Sequence, residues 1–192
     1  TYSISLEKTS PYISVIFSGI IIQSQLTGGF NFSNISAAIA LGSYYGVSLE
    51  NIARGIETYI PKNNRSQEIV KNNREIVLDA YNANPTSMKA ALLSFDNLAS
   101  PKIALLGDMF ELGKFAAKEH QEIVNEAEIL SIDQLYWIGE EFSKTKLPSS
   151  KHHCFKNIHL FKQYLEKKPL PSGKLLLKGS RGMKMETLLD FL

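Results

Sequence analysis

The chain has 192 residues, of which 44% are hydrophobic and 21% are charged, and its formal net charge is +2. This balance gives no electrostatic footprint for nucleic acid or an acidic membrane surface, and the longest apolar stretch, residues 13–22, is too short to span a bilayer. The single cysteine, Cys154, excludes an internal disulfide and favours a reducing cytoplasm. A start at Thr1 without methionine indicates a piece of a longer protein. We expect the protein to be a monomer.

The first third of the chain predicts a small group of strands followed by two helices. Short apolar runs within residues 12–26 predict strands, which end at a glycine turn. One helix is predicted to begin near Ser33 or Asn34, because either side chain can cap free amides. A second is predicted to begin after Ser48 and to end before Pro61. The polar segment that follows predicts a domain boundary.

The sequence therefore predicts two domains, residues 1–62 and residues 63–192. In the second domain, apolar strands alternate with amphipathic helices, which predicts an α/β, Rossmann-like, mostly parallel sheet flanked by helices. Ligands bind at the carboxyl ends of the strands in such a sheet, so we look for a site there. The predicted strands are residues 76–78, 103–106, 135–138, a short one near 154, and 174–177; the predicted helices are residues 85–99, 116–130, 158–165 and a closing helix.

The segment Asp79–Pro85 is the strongest functional motif. It places a carboxylate, a phenol and two carboxamides at a turn between a strand and a helix. Amides and the free N–H groups of a helix start suit a zwitterionic peptide or a ribose. A well-capped turn is the simpler interpretation, since Asn and Asp favour turns, but the concentration of polar groups favours a function.

Two further strand ends carry glycine and charged residues. In segment 178–182, Lys178 and Arg181 suit a carboxylate or phosphate, although a solvated basic turn explains the segment equally well. Segment 106–114 is not a phosphate loop, because five residues rather than four separate its glycines and Phe115 replaces the hydroxyl residue. Its Asp108 either serves a site or favours the following helix through the helix dipole.

Three weaker candidates have simpler explanations. Asn31 and Asn34 suit the edge of a nucleotide base, but capping a helix is favoured. Arg65 suits a phosphate or a base, although a lone arginine in a linker is more often solvated. The run 152–154 contains His-His-Cys but predicts no metal site, since adjacent residues of a strand point to opposite faces.

Taken together, these motifs resemble the Mur ligase family, and within it the ligases that add D-alanyl-D-alanine to UDP-N-acetylmuramoyl-tripeptide. The similar segments occur in the family's order and cover nearly the whole chain: residues 29–42, 63–66, 78–88, 106–113 and 177–186. The resemblance implies that residues 1–62 are the carboxy-terminal part of the central ATP-binding domain and that residues 63–192 are the carboxy-terminal domain.

The resemblance also implies two groups of site residues. The implied ATP-binding residues are Asn31, Asn34, Arg65 and Asp79. The implied substrate-binding residues, which would hold the dipeptide, are Tyr81, Asn82, Asn84, Asp108, Lys178, Ser180 and Arg181. ATP and Mg²⁺ are the implied cofactors, with the magnesium ligands and the phosphate loop in an upstream part, so no catalytic or metal-binding residue is expected in this chain.

The implied function is a step of bacterial peptidoglycan precursor synthesis in the cytoplasm. ATP converts the tripeptide carboxylate to an acyl phosphate, which the dipeptide amine then attacks; the isolated chain is expected to be inactive. Two alternatives remain open. One is a sister Mur or folyl-glutamate ligase that adds another amino acid. The other is a non-catalytic Rossmann-like binding module, although no G-x-G-x-x-G motif follows the first strand of the second domain.

Overall fold

A computed structural model describes residues 3–9, 12–61 and 64–192 of the chain. The chain divides into two units, residues 1–62 and residues 63–192. Lys62 and Asn63, on which the predicted domain boundary falls, lie outside the described residues.

The first unit combines an antiparallel sheet with two helices. Its strands β1 (Ile4–Lys8), β2 (Ser14–Phe17) and β3 (Ile20–Gln23) are hydrogen-bonded in that order, and β1 was not predicted. The helices are α1 (Asn31–Tyr44) and α2 (Leu49–Glu57). Alternate residues of β2 and β3 and one face of each helix form a single hydrophobic core: Ile13, Val15, Phe17, Ile22, Ile35, Ile39 and Ile52.

The start predicted for α1 was wrong. The helix begins at Asn31, and the preceding Phe30 provides no side-chain cap. Ser33 instead donates a hydrogen bond from its hydroxyl to the carbonyl of Phe30, within the first turn. The start predicted for α2 is confirmed, because the Ser48 hydroxyl accepts a hydrogen bond from the Asn51 amide.

The second unit contains a six-stranded sheet in the order β4-β5-β9-β6-β7-β8. All neighbouring strands are parallel except β4, which forms an antiparallel hairpin with β5 and was not predicted. The hairpin turn is Asn72–Asn73, and both residues have the positive φ that a tight type I′ turn requires. The strands are β4 (Gln67–Lys71), β5 (Arg74–Asp79), β6 (Lys102–Gly107), β7 (Gln134–Ile138), β8 (His152–Phe155) and β9 (Lys174–Lys178).

Helical segments cover both faces of this sheet, which confirms the predicted α/β class. Helices α3 (Pro85–Asp96) and α4 (Ala116–Glu128) share one hydrophobic core with the sheet. Helix α5 (Ile158–Lys167) shares the core on the other face with the terminal segment Met185–Phe191, which is a 3-10 helix where an ordinary helix was expected. Further short 3-10 turns are Gly113–Phe115, Phe142–Lys144 and Arg181–Met183.

Strand β9 lies at the centre of the sheet, between β5 and β6. Its register places Lys178 beside Asp79 of β5 on one side and beside Leu106 of β6 on the other. Three strands therefore end together at one edge, which we call the carboxyl edge. Within the described parts of the chain, no helix is both long enough and apolar enough to cross a membrane.

Candidate functional site

A buried ion pair joins two strands at the carboxyl edge. Lys178 Nζ lies 2.6 Å from Asp79 Oδ2, and the side chain of Lys178 is 2% exposed. Asp79 Oδ1 also accepts a hydrogen bond from the Ser66 amide at 3.1 Å, and Lys178 Nζ donates to the carbonyl oxygen of Asn82 at 3.1 Å. The pair therefore fixes the ends of β5 and β9 together with the segments on either side of the β4–β5 hairpin.

Asp108 is a second buried carboxylate, at the end of β6. Its oxygens accept hydrogen bonds from the amides of Glu141 and Phe142, at 2.9 and 3.0 Å. Gly139 leaves room for this arrangement, because a Cβ there would lie 2.1 Å from Asp108 Cγ. In the described contacts, Asp108 therefore holds the loop after β7 and does not face an open site.

His120 holds the loop after β6 against the start of α4. Its imidazole is fully buried; Nε2 accepts a hydrogen bond from the Met109 amide at 3.0 Å, and Nδ1 lies 2.7 Å from the Ala116 carbonyl. The neutral tautomer with its proton on Nδ1 satisfies both contacts. No sequence signal indicates this role, because it depends on where α4 packs against the end of β6.

Ser180 connects three loops of the carboxyl edge. Its hydroxyl accepts a hydrogen bond from the Phe110 amide at 2.8 Å and donates to the Ala83 carbonyl at 3.4 Å. Its own amide donates to the carbonyl of Asp108 at 3.1 Å. We call Asp79, Asp108, Lys178 and Ser180 the buried frame, because each side chain bonds to the polypeptide and together they fix the edge.

The remaining candidates of the second unit are exposed to solvent and form a separate group. We call them the exposed set: Arg65, Tyr81, Asn82, Asn84 and Arg181. The guanidinium carbon of Arg65 lies 3.9 Å from the centroid of the Tyr81 ring, and that of Arg181 lies 5.6 Å from it. Among the described residues, neither guanidinium has a carboxylate within ion-pair distance.

The two asparagines of the exposed set already have structural roles. Asn84 caps α3: its Oδ1 accepts a hydrogen bond from the Ser87 amide at 2.8 Å, and the Ser87 hydroxyl accepts one from the Asn84 amide at 3.1 Å. Asn82 Oδ1 accepts one from the Ala83 amide at 2.8 Å. Both oxygens are therefore occupied, which leaves the amide nitrogens of the two side chains to donate to a ligand.

In the first unit, the two predicted base-contacting asparagines bond to each other. Asn34 Nδ2 donates to Asn31 Oδ1 at 2.8 Å, and Asn31 Nδ2 donates to the Thr27 carbonyl at 2.8 Å. Asn31 is buried, whereas Asn34 lines a cavity of about 430 Å³ whose walls are mostly apolar side chains of α1 and α2. The Asn34 side-chain oxygen takes part in neither hydrogen bond, so it can accept one from a planar ligand.

The histidine and cysteine run on β8 does not converge on one point. His152 accepts a hydrogen bond from Trp137 Nε1 at 3.0 Å, whereas His153 stacks on Tyr136 at 4.8 Å in the core on the other face of the sheet. Burial lowers the pKa of both imidazoles, and it raises the pKa of the Cys154 thiol. The described residues contain no cluster of three or more metal-binding side chains.

Magnesium does not fit the two carboxylates of the buried frame. Asp79 is paired with Lys178, and Asp108 is occupied by two backbone amides. A magnesium ion needs carboxylate oxygens that are free to bind it, together with several waters. The buried frame therefore offers no magnesium site.

The fold and the polar carboxyl edge define a class, and comparison with known sequences identifies it. Residues 64–166, more than half of the chain, match the family described as "Mur ligase, glutamate ligase domain". The chain belongs to the Mur ligase family.

Comparison with individual relatives is more specific than the match to the family. The chain is 34% identical over 176 residues to the UDP-N-acetylmuramoyl-tripeptide–D-alanyl-D-alanine ligase of Bacillus subtilis, and 34% identical over 181 residues to that of Treponema pallidum. These matches cover 85% and 91% of this chain but only 38% and 39% of the two relatives. A crystal structure of MurF from Acinetobacter baumannii has a TM-score of 0.79 at 28% identity, covering 98% of this chain and 43% of that one.

Proposed function

We propose that this chain is the carboxy-terminal part of a ligase that joins D-alanyl-D-alanine to UDP-N-acetylmuramoyl-tripeptide in bacterial peptidoglycan synthesis. The exposed set carries the proposal, because it presents at the carboxyl edge two carboxamides and two guanidiniums that have no carboxylate partner among the described residues. The names of the curated relatives supply the substrates. In this proposal, residues 1–62 end the central ATP-binding domain and residues 63–192 are the carboxy-terminal domain.

The proposed reaction has two steps. An oxygen of the tripeptide carboxylate attacks the γ-phosphorus of ATP, which forms an acyl phosphate and releases ADP. The amine of D-alanyl-D-alanine then attacks the acyl carbon, which forms the peptide bond and releases phosphate and a proton. Mg²⁺ supplies charge neutralisation during phosphoryl transfer when it is bound. Its ligands belong to the upstream part of the enzyme in this proposal.

This chain contributes binding and orientation to the second step. The exposed set contains arginine, tyrosine and asparagine, none of which is a base at neutral pH. Arg181 suits the terminal carboxylate of the dipeptide, since a guanidinium donates two parallel hydrogen bonds to a carboxylate. The free side-chain N–H groups of Asn82 and Asn84 suit its carbonyl oxygen. Holding the amine near the acyl carbon lowers the entropic part of the barrier.

Each unit contains residues that we propose to contact the nucleotide. Asn34, with Asn31 fixing its orientation, would face the adenine, and Arg65 would lie near a phosphate. Asp79 would reach a ribose hydroxyl through the part of its carboxylate that remains accessible. The buried frame would position these groups; in particular, Asp108, Lys178 and Ser180 would act by holding the loops rather than by touching the substrate. The monomeric enzyme would work in the cytoplasm.

The test is a measurement of ADP release by the full-length polypeptide that contains this chain, given ATP, magnesium and UDP-N-acetylmuramoyl-tripeptide. We expect turnover with D-alanyl-D-alanine and none with single amino acids. Replacement of Arg181 by alanine should raise the KM for the dipeptide about 10- to 100-fold, because it removes a charge-assisted hydrogen bond. Arg54→Ala, which removes an exposed arginine on α2, is the matched control and should leave the KM unchanged.

Turnover with a single amino acid in place of the dipeptide would show that the protein is a sister ligase with the same mechanism. The absence of any ADP release would favour a binding module. We further propose that the 192-residue chain alone is inactive, and detectable ligation by the purified chain would contradict this.

A further inference from the structure

Tyr81 occupies a central place in the exposed set, because both guanidiniums approach its ring. The Arg65 carbon lies 3.9 Å from the ring centroid, which is direct stacking distance, and the Arg181 carbon lies 5.6 Å away. Both distances are within the range of about 6 Å in which a cation over the face of an aromatic ring is attracted to it. A single side chain therefore contacts two cations that come from opposite ends of the second unit's sequence.

The backbone that carries the ring is held at two points. The Tyr81 amide donates a hydrogen bond to the Asn64 carbonyl at 3.0 Å, which fixes it next to the segment that carries Arg65. Two residues earlier, Asp79 is held by the buried ion pair with Lys178. Tyr81 thus projects from the rigid part of the edge, while 41% of its surface remains exposed.

Nothing else in the described structure holds the two arginines. Neither side chain forms an ion pair or hydrogen bond with a described residue, so the ring is the partner that limits their rotation. An unheld arginine loses substantial side-chain entropy when it binds a ligand, and fixing it beforehand reduces that cost. The interaction with the ring therefore prepares both cations for anionic ligands before either ligand is bound.

We propose that Tyr81 is a positioning residue that serves both substrates of the ligase at once. It holds Arg65 for a phosphate of the nucleotide and Arg181 for the carboxylate of the acceptor dipeptide. This inference rests on the proposed function for the identity of the two ligands. Its distinctive consequence is that loss of one ring weakens two binding sites, whereas loss of either arginine weakens chiefly its own.

The first experiment measures the positioning directly, in the 192-residue chain without ligands. The ¹H–¹⁵N heteronuclear NOE of the Nε–H group reports the mobility of each arginine side chain. Tyr81→Leu should lower this NOE for both Arg65 and Arg181, and Tyr81→Phe, which keeps the ring, should preserve both values. Tyr45→Leu removes an exposed tyrosine from the first unit and is the control. Unchanged NOE values in Tyr81→Leu would overturn the proposal.

The second experiment measures KM and kcat in the full-length ligase. Tyr81→Leu should raise the KM for ATP and the KM for D-alanyl-D-alanine about two- to fivefold each, with little change in kcat, as expected for loss of an exposed cation–π contact. Tyr81→Phe should leave both KM values at those of the unmodified enzyme. A rise in only one KM, or an equal loss of kcat with Phe and Leu, would overturn the shared role. If the unmodified enzyme did not use the dipeptide, the proposed function would be refuted instead. The NOE measurement would still test whether Tyr81 positions the two arginines.

Discussion

Single residues of the buried frame differ from those of the exposed set in what they do for the molecule. Lys178 and Asp79 are opposite charges in a largely desolvated place, and each also bonds to backbone. Removal of one partner from such a pair leaves the other charge buried without compensation, which typically costs 3–5 kcal/mol. The pair therefore stabilises the carboxyl edge only as long as both members are present.

We predict that Lys178→Met or Asp79→Asn lowers the free energy of unfolding of the second unit by about 3 kcal/mol. Urea denaturation followed by Trp137 fluorescence measures this, because the indole is fully buried in the same unit. Lys118→Met breaks an exposed pair with Glu122 on α4 and should change stability by no more than about 0.5 kcal/mol. Equal effects of the buried and the exposed substitutions would contradict the role given to the ion pair.

At this scale the sequence predicted the types of residue but not their exposure. Segment 178–182 was expected to present Lys178, Ser180 and Arg181 together, yet only Arg181 faces solvent. Whether a polar side chain bonds to the polypeptide or to a ligand depends on the neighbouring loops, here those that carry Ala83 and Phe110. These neighbours are distant in sequence, so a local motif does not indicate them.

Among the elements, α3 connects helix formation to the proposed site. Its cap, Asn84, is also a proposed dipeptide contact, and Pro85 at the first helical position suits the fixed φ of a helix start. Helix α5 offers a matched case away from the carboxyl edge residues discussed above. Its cap, Asn157, accepts a hydrogen bond from the Leu160 amide at 3.0 Å, just as Asn84 does from Ser87.

We predict that Asn84→Ala and Asn157→Ala each lower the free energy of unfolding by about 1 kcal/mol, because each leaves a helix-start amide without its acceptor. Only Asn84→Ala should also raise the KM for D-alanyl-D-alanine in the full-length ligase. Thermal unfolding and steady-state kinetics on the same two variants separate the two effects. If both variants changed KM alike, Asn84 would be a cap and nothing more.

The elements that sequence analysis missed share a physical cause. Strands β1 and β4 each lie at the edge of a sheet, and most of their side chains are exposed or half-buried, so neither shows a strong apolar pattern. The end of β4 nevertheless had a usable signal, since Asn72–Asn73 is a two-residue pair that tolerates positive φ between two β-rich runs. The central strands were predictable because every residue of β6 and nearly every residue of β9 is buried.

On the scale of the whole molecule, the two units differ in how much core each contains. The first unit has one small hydrophobic cluster, and many of its large apolar side chains remain exposed. The second has two larger clusters, one on each face of its sheet. Small cores give marginal stability, because a smaller unit buries a smaller fraction of its surface on folding. The exposed apolar side chains of the first unit include Ile21, Leu41, Tyr44, Tyr45, Tyr59 and Ile60.

We predict that the chain unfolds in two transitions and that the first unit unfolds at the lower temperature. Differential scanning calorimetry of the chain, and of residues 64–192 alone, measures this. The shorter fragment should show a single transition that coincides with the upper one of the full chain. A single transition in the 192-residue chain that is lost in the fragment would show instead that the two units fold as one.

The position of β9 has a consequence for the order in which the polypeptide is made. Translation proceeds from the amino terminus, so a ribosome produces β5, β6, β7 and β8 before the strand that separates β5 from β6. Until Lys174–Lys178 emerges, the nascent chain lacks the centre of its sheet, and the partner of Asp79 does not yet exist. A premature stop codon shortly before Lys174 would therefore remove the middle of the sheet rather than shorten one end. Such a product would expose two strand edges that normally never meet water, which makes it a strong candidate for removal by the cell's quality-control proteases.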